Sequence, residues 1–320
     1  MLLWGLLLVA AGIVVMWLAA DPFVVAAARL AYIWGLSPVL IGALIIGFGT
    51  SAPELLVSGI SAGRGELEAA VGNVVGSNAA NLSLVLGVSA LIAPVSGHLR
   101  TMRREGIVTI VSMGLLSWVM LDDRLHRLEG LGLLAAMVIA SGLLVMWSNR
   151  DMAEEAIELD IDGVEPGTLY LVWKELRVAA LSIAAIVVGA ALLNQGGTVV
   201  ATELGLSGGF IGATVFALGT SLPELVTAIA AARRRANDLV VGNVLGSNIF
   251  NSLLVVGVAA SIGPGVLSER RISELIIMLV IGVVAGAFTI TGNRLNRVEG
   301  GGLVIAYFVF LAATAQMATG

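Results

Sequence analysis

Residues Leu36–Val88 lie over Leu206–Val258 at a constant offset of 170 with no gap, and 25 of the 53 pairs are identical. Thirteen of the identities fall on Gly, Ser, Thr, Asn and Glu, more than the nine on the Leu, Val and Ala that unrelated apolar helices share by chance. The chain therefore carries an internal duplication, and a duplication of this length constrains the architecture before any single residue does.

Apolar runs fall at about 2–20, 36–62, 69–93, 106–121, 130–147, 176–193, 208–232, 239–262, 272–290 and 300–317. Each is long enough to cross a bilayer as a helix, which takes roughly 20 residues. The first run is expected to continue through Asp21 and Pro22 to about Ile33 as one long helix. Only 12% of the residues are charged, against about 25% in a soluble domain, and the mean hydropathy is +1.01. An all-α integral membrane protein is expected, with ten transmembrane helices in two five-helix repeats. Five is odd, so the second copy enters the membrane from the opposite side and the repeat is inverted. The expected division is a first repeat over 1–148, an acidic cytoplasmic linker over 149–175 and a second repeat over 176–320. With the N-terminus outside, twelve Lys and Arg fall in inner loops and five in outer loops, which predicts extracytoplasmic termini in a cell inner or plasma membrane.

There is no Cys, and His98 and His126 lie beside charged residues at run ends. Zinc, copper, iron–sulfur and haem sites need such ligands, so hard, oxygen-seeking cations are the cargo this chain suits. No catalytic triad, catalytic metal or resident cofactor is expected, nor a nucleic-acid partner, and the chain is expected to work as a monomer in lipid. The linker acids Glu154, Glu155, Glu158, Asp160, Asp162 and Glu165 lack the spacing of a calcium loop and read as a solvated segment.

The chemistry is carried by Gly49-Thr50-Ser51-Ala52-Pro53-Glu54 and its copy Gly219-Thr220-Ser221-Leu222-Pro223-Glu224. A carboxylate at bilayer depth is costly, and it normally faces a cavity or an ion path. Gly47, Gly49 and Gly219 weaken the helix around each copy, while Pro53 and Pro223 each remove an N–H, which frees a carbonyl one turn back. Thr50 and Ser51 stand four and three residues before Glu54, as Thr220 and Ser221 do before Glu224, so these oxygens share a helix face. One span later each half has a second polar island, with Ser77 and Asn81 in one and Ser247 and Asn251 in the other, again four apart. Asn73, Asn243, Asn78 and Asn248 suit helix packing as well as they suit ligation. Two carboxylates ~7 Å apart repel by about 2–3 kcal/mol at an effective dielectric near 20. An empty ionised site therefore resists occlusion, and one filled with Ca²⁺, Na⁺ or protons does not, which favours coupled counter-transport.

The paired Gly-Thr-Ser-x-Pro-Glu and Gly-Ser-Asn-x-x-Asn motifs, over 36–88 and 206–258, resemble the duplicated repeats of the sodium/calcium exchanger family in its prokaryotic branch. That resemblance implies a Na⁺/Ca²⁺ antiporter working by alternating access. It implies four ion sites in a diamond, and first and sixth helices that slide across the remaining bundle. The ligands it implies are Thr50, Ser51, Glu54, Ser77 and Asn81 with the Gly47 carbonyl. In the second half they are Thr220, Ser221, Glu224, Ser247 and Asn251 with the Ala217 carbonyl. Some members carry Asp where this chain has Asn251, which leaves H⁺/Ca²⁺ exchange at the same glutamates as the alternative.

Overall fold

The computed structural model describes residues 1–96, 99–151, 169–204, 217–268, 270–291 and 294–319. His98, all the linker acids named above and residues 206–216 of the second repeat motif lie outside the described residues. The fold is almost wholly helical: α1 (Leu2–Trp34), α2 (Pro38–Thr50), α3 (Ala52–Gly63), α4 (Leu67–Ile92), α5 (Leu99–Trp118) and α6 (Arg127–Asp151) come first. They are followed by α7 (Leu169–Glu203), α8 (Ala217–Thr220), α9 (Leu222–Arg233), α10 (Asn237–Ile262), α11 (Arg270–Thr291) and α12 (Arg297–Thr319).

Helix α1 runs straight through Asp21-Pro22, ending at Gly35 in the left-handed conformation (φ 59°), where a residue without Cβ costs least. At about 1.5 Å per residue its 33 residues span roughly 50 Å, so a core of about 30 Å requires tilt or protrusion. Its partner is α7. Gly12 faces Gly189 and Gly5 faces Gly196, and a Cβ at any of the four would meet the opposing backbone. As the α1 numbers rise the α7 numbers fall, so the two helices run antiparallel. They are the first helices of the two copies, and small residues at their contact let the backbones approach where lipid offers no hydrophobic drive for helix association.

Two short strand pairs staple the ends of the bundle. β1 (Val95–Ser96) pairs antiparallel with β4 (Arg294–Leu295), and β2 (Arg124–Leu125) pairs with β3 (Gly265–Val266). At the offset of 170 the first pair is the image of the second. The same relation holds for the guanidinium of Arg127 donating to the Ile262 carbonyl (3.5 Å) and that of Arg297 donating to the Ile92 carbonyl (3.3 Å). Glu129 and Glu299 accept from the backbone N–H of His126 and Asn296 at the starts of α6 and α12, as acids at helix N-termini do.

Among the described residues, six helices are long and apolar enough to cross a membrane, or seven if the bent pair α2 and α3 is one span. The sequence reading had ten. The difference has a physical source. Arg100, Arg103, Arg104 and Glu105 occupy the first turns of α5, and Arg270, Arg271 and Glu274 those of α11, where Ile272–Phe288 is a shorter apolar helix. Helix α9 is short, and the segment before α8 is outside the described residues. Helix α6 continues to Asp151 and α7 begins at Leu169, both inside the bounds predicted for the linker.

Candidate ion-binding site

The two Gly-Thr-Ser-x-Pro-Glu segments fold into the same local shape. At the first, α2 and α3 bend by 46°. The hinge residue Ser51 has φ −84° and ψ 5°, and its copy Ser221 has φ −88° and ψ 4°. Pro lacks an N–H and sits without cost in the first turn, so the chain restarts as a new helix there. Glu54 and Glu224 then fall in the first turns of α3 and α9, where the positive pole of the helix favours a carboxylate.

Both carboxylates are completely buried. Ser77 Oγ donates to Glu54 Oε1 at 3.3 Å, and Ser51 Oγ donates to Glu224 Oε1 at 2.9 Å. The second oxygen of each, Oε2, has no hydrogen-bond partner among the described residues. A buried carboxylate oxygen left so is expensive, and a cation satisfies it.

The network around them crosses between the copies. Thr50 Oγ1 donates to Asn243 Oδ1 (3.3 Å), and Thr220 Oγ1 donates to Asn73 Oδ1 (3.2 Å). Ser77 Oγ and Thr220 Oγ1 lie 3.4 Å apart, so either hydroxyl can turn from its carboxylate or amide partner to the other, which places the Glu54 side against the second break. Asn73 and Asn243, equally suited by sequence to packing or ligation, each hold a threonine of the opposite half. The packing that permits this is close: a Cβ at Gly246 would run into the backbone of Ala43, and one at Gly47 would meet the Ser247 amide nitrogen.

Asn81 and Asn251 are fully buried, and neither side-chain oxygen nor nitrogen of either has a partner among the described residues. Each stands in a turn of π-helix, Asn81–Val85 in α4 and Phe250–Val255 in α10. Such widened turns often sit at functional positions. A third widens Gly42–Ile46 in α2. Nothing in the sequence pattern announced them. Two further polar side chains were not foreseen. Asn194, on α7, lies against Gly219; the run Asn194-Gln195-Gly196-Gly197 inside an apolar helix was the available signal. Ser252 accepts from Asn78 Nδ2 at 2.9 Å.

The Gly47 carbonyl, a ligand by resemblance, here accepts from the Ser51 N–H (3.0 Å), and the Thr50 and Ser247 hydroxyls lie within hydrogen-bonding distance of it (3.3 and 3.4 Å). Ala217 opens α8, two residues before Gly219. Ser221 Oγ is buried without a partner among the described residues. No group of three or more His, Cys, Asp or Glu converges anywhere among the described residues. The assembled donor set is thus two carboxylates, hydroxyls, amide oxygens and backbone carbonyls, all hard oxygens suited to Ca²⁺ or Na⁺.

Comparison with known proteins follows this geometry. A family model described as sodium/calcium exchanger protein matches residues 4–146 and 175–315. The inner membrane protein YrbG of Escherichia coli (strain K12) is 34% identical over 282 residues, covering 85% of each chain. The sodium/calcium exchanger MaX1 of Methanosarcina acetivorans is 30% identical over 338 residues, covering 94% of this chain and 95% of that one. Among solved structures, the sodium-calcium exchanger NCX_Mj soaked with 10 mM Na⁺ and zero Ca²⁺ superposes with a TM-score of 0.84. It is 26% identical, and the match covers 98% of this chain and 99% of that one.

Proposed function

Since the chain belongs to the sodium/calcium exchanger protein family and is a helical membrane protein, we propose that it is a secondary antiporter exchanging Na⁺ for Ca²⁺ by alternating access. The observation that carries this reading is the pair of fully buried glutamates, each with one unpartnered oxygen, at the starts of two half-helices of the same shape. Half-helix N-termini meeting near the midplane, with broken backbone around them, are the construction by which transporters hold ions.

The roles follow from charge. Glu54 and Glu224 hold Ca²⁺ between them, and two carboxylates balance its charge. Thr50, Thr220, Asn81 and Asn251 complete its shell with neutral oxygens. Ser51, Ser77, Ser221 and Ser247 help form flanking Na⁺ sites, with the carbonyls of Gly47 and Ala217. We read the fold as ten transmembrane helices in two inverted repeats, 1–148 and 176–320, joined by a cytoplasmic linker. The antiparallel α1 and α7 and the mirrored strand pairs support the inversion. Both termini are extracytoplasmic in this reading, and an inward Na⁺ gradient drives Ca²⁺ out of the cell.

The H⁺-coupled alternative rests on Asn251, which supplies an oxygen and no charge. The test is ⁴⁵Ca²⁺ uptake into Na⁺-loaded proteoliposomes at fixed pH, with membrane potential set by valinomycin and K⁺. Uptake that needs the Na⁺ gradient and responds to potential establishes electrogenic exchange. Na⁺-dependent uptake indifferent to potential gives an electroneutral two-for-one cycle, the stoichiometry two carboxylates balance most simply. Uptake that ignores Na⁺ and follows a pH gradient assigns the protein to H⁺/Ca²⁺ exchange.

A further inference from the structure

At the far end of α9 from Glu224, about 15 Å along the helix, a cleft opens where α1, the start of α7 and the end of α9 meet. It has a volume of about 290 Å³, and its polar wall is made by Asp21, Arg29, Lys174, Glu175 and Arg234. Two ion pairs hold this wall together. Arg29 Nη1 meets the buried Glu175 at 3.1 Å, and Arg234 Nη2 meets Asp21 at 3.0 Å. Lys174 has no hydrogen bond or ion pair among the described residues, nor has Arg177, one turn further along α7.

A second cavity, of about 600 Å³, shares Lys174 and Val178 with the first and continues along α7 past Trp173 and Arg177 to Leu181. The two together present four cationic groups (Arg29, Lys174, Arg177 and Arg234) against two carboxylates. Two positive charges are left over, on side chains that have no partner among the described residues. Apolar side chains line the same walls, Pro22, Val25 and Val178 in the first cavity and Val178 and Leu181 in the second. Leu181 is 72% exposed and Trp173 57% exposed. A tryptophan beside cationic side chains, above an exposed leucine two helical turns deeper, marks the membrane–water boundary.

We propose that this cleft is a binding site for a phosphate diester, supplied by the head group of an anionic phospholipid. The phosphate sits against Lys174 and Arg177, and the acyl chains follow Val178 and Leu181 into the bilayer. Basic pockets between membrane helices bind anionic head groups in this way. A soluble anion would use the same cations and gain nothing from the apolar lining, which is why the lipid is the occupant. The adjoining cleft joins α1 and α7 to Arg234, immediately past the helix that carries Glu224 in its first turn. The lipid composition of the membrane therefore has a physical path to the ion site.

The test is native mass spectrometry of the full-length chain in detergent, with dioleoyl-phosphatidylglycerol, dioleoyl-phosphatidylcholine and inorganic phosphate as probes. The wild type is expected to retain phosphatidylglycerol at least tenfold better than phosphatidylcholine. Removing each interfacial cation is worth about fivefold, so Lys174→Gln/Arg177→Gln is expected to lose roughly twenty-five-fold, and Lys174→Arg to keep binding. The variants leave Arg29–Glu175 and Arg234–Asp21 intact, and equal thermal unfolding in detergent shows that they fold. Equal retention of the two lipids, or a double variant that binds as the wild type does, overturns the site. Displacement of phosphatidylglycerol by millimolar phosphate would make a soluble anion the occupant and overturn the lipid assignment. So would phosphatidylglycerol binding that appears only after residues 152–168 are excised, because the acidic segment would then be what fills the cleft.

Discussion

The two acid-bearing breaks match in backbone and differ in side-chain wiring. Ser51 and Ser221 agree within about five degrees in φ and ψ, and Pro and Glu follow at the same spacing. Yet Asn73 and Asn243, copies of one another, spend their amide hydrogens differently. Asn73 Nδ2 donates to Ser58 Oγ at 3.2 Å, and Asn243 Nδ2 donates to the Glu224 carbonyl at 3.3 Å. The cause is one residue: position 58 is Ser and its copy, position 228, is Ala, so the second asparagine has no hydroxyl to reach. Likewise Ser51 holds Glu224, while Ser221 has no partner among the described residues. The local motif writes the break, and residues outside it decide what each carboxylate meets.

The largest effects should treat the breaks as equals. In the proposed site Glu54→Gln and Glu224→Gln would each remove half of the charge that balances Ca²⁺, and each is expected to lower ⁴⁵Ca²⁺ uptake at least a hundredfold. A variant of either that transports at the wild-type rate would sink the shared-site reading. Next is Gly246→Ala, whose Cβ has no room against the Ala43 backbone. Overpacking of this kind costs about 1–3 kcal/mol, and here it also separates α2 from α10, so thermal stability and uptake should fall together. Wild-type uptake at reduced thermal stability would show that this close approach serves folding alone.

The serine pair is where symmetry should fail. Ser51→Ala strips Glu224 Oε1 of its donor and leaves a buried oxygen unsatisfied, at a cost of about 1–3 kcal/mol. Ser221→Ala removes a hydroxyl that donates to nothing among the described residues, so the ion-free protein should keep its stability within about 0.5 kcal/mol. Thermal unfolding in Ca²⁺-free and Na⁺-free buffer reads both. Equal losses would mean the asymmetry belongs to one conformation and averages out in solution.

What the sequence revealed follows the same division. The breaks were legible because Gly, Pro and Glu act locally, and writing them twice removed chance as an explanation. The continuation of α1 through Pro22 was legible too, since apolar residues run on from both sides of it, although the kink that Pro suggests did not divide the helix. The ten-span pattern was read from hydropathy alone, and hydropathy misplaces a helix whose end carries charge. Thus the start of α7 at Leu169 was hidden by Lys174, Glu175 and Arg177, which lie in the helix but face the cleft at its end. The π-turns at Asn81 and Asn251 were not legible, because a single extra residue per turn leaves no mark on composition. Nor were the strand pairs, two residues each, which exist only because the halves bring their ends together. The partners of Asn73 and Asn243 depended on which helices touch, and no local pattern carries that.

The smallest prediction tests whether one hydroxyl accounts for the difference between the halves. Ser58 accepts from Asn73 and donates to the Ala70 carbonyl (3.1 Å), so Ser58→Ala breaks two hydrogen bonds at once. Polar contacts between membrane helices average about 0.6 kcal/mol, and the loss should be about 1 kcal/mol. Freed from Ser58, the Asn73 amide is left with the Glu54 carbonyl as its counterpart to the contact Asn243 makes with Glu224. Ala228→Ser is the converse and offers Asn243 the hydroxyl it lacks, at little cost in stability. Because Asn243 also holds Thr50, each change should shift the Ca²⁺ concentration for half-maximal uptake by less than threefold, in opposite directions. Shifts in the same direction would trace the difference between the two breaks to the packing of α2 on α10, where Gly242 and Gly246 meet the Gly42 and Ala43 backbone.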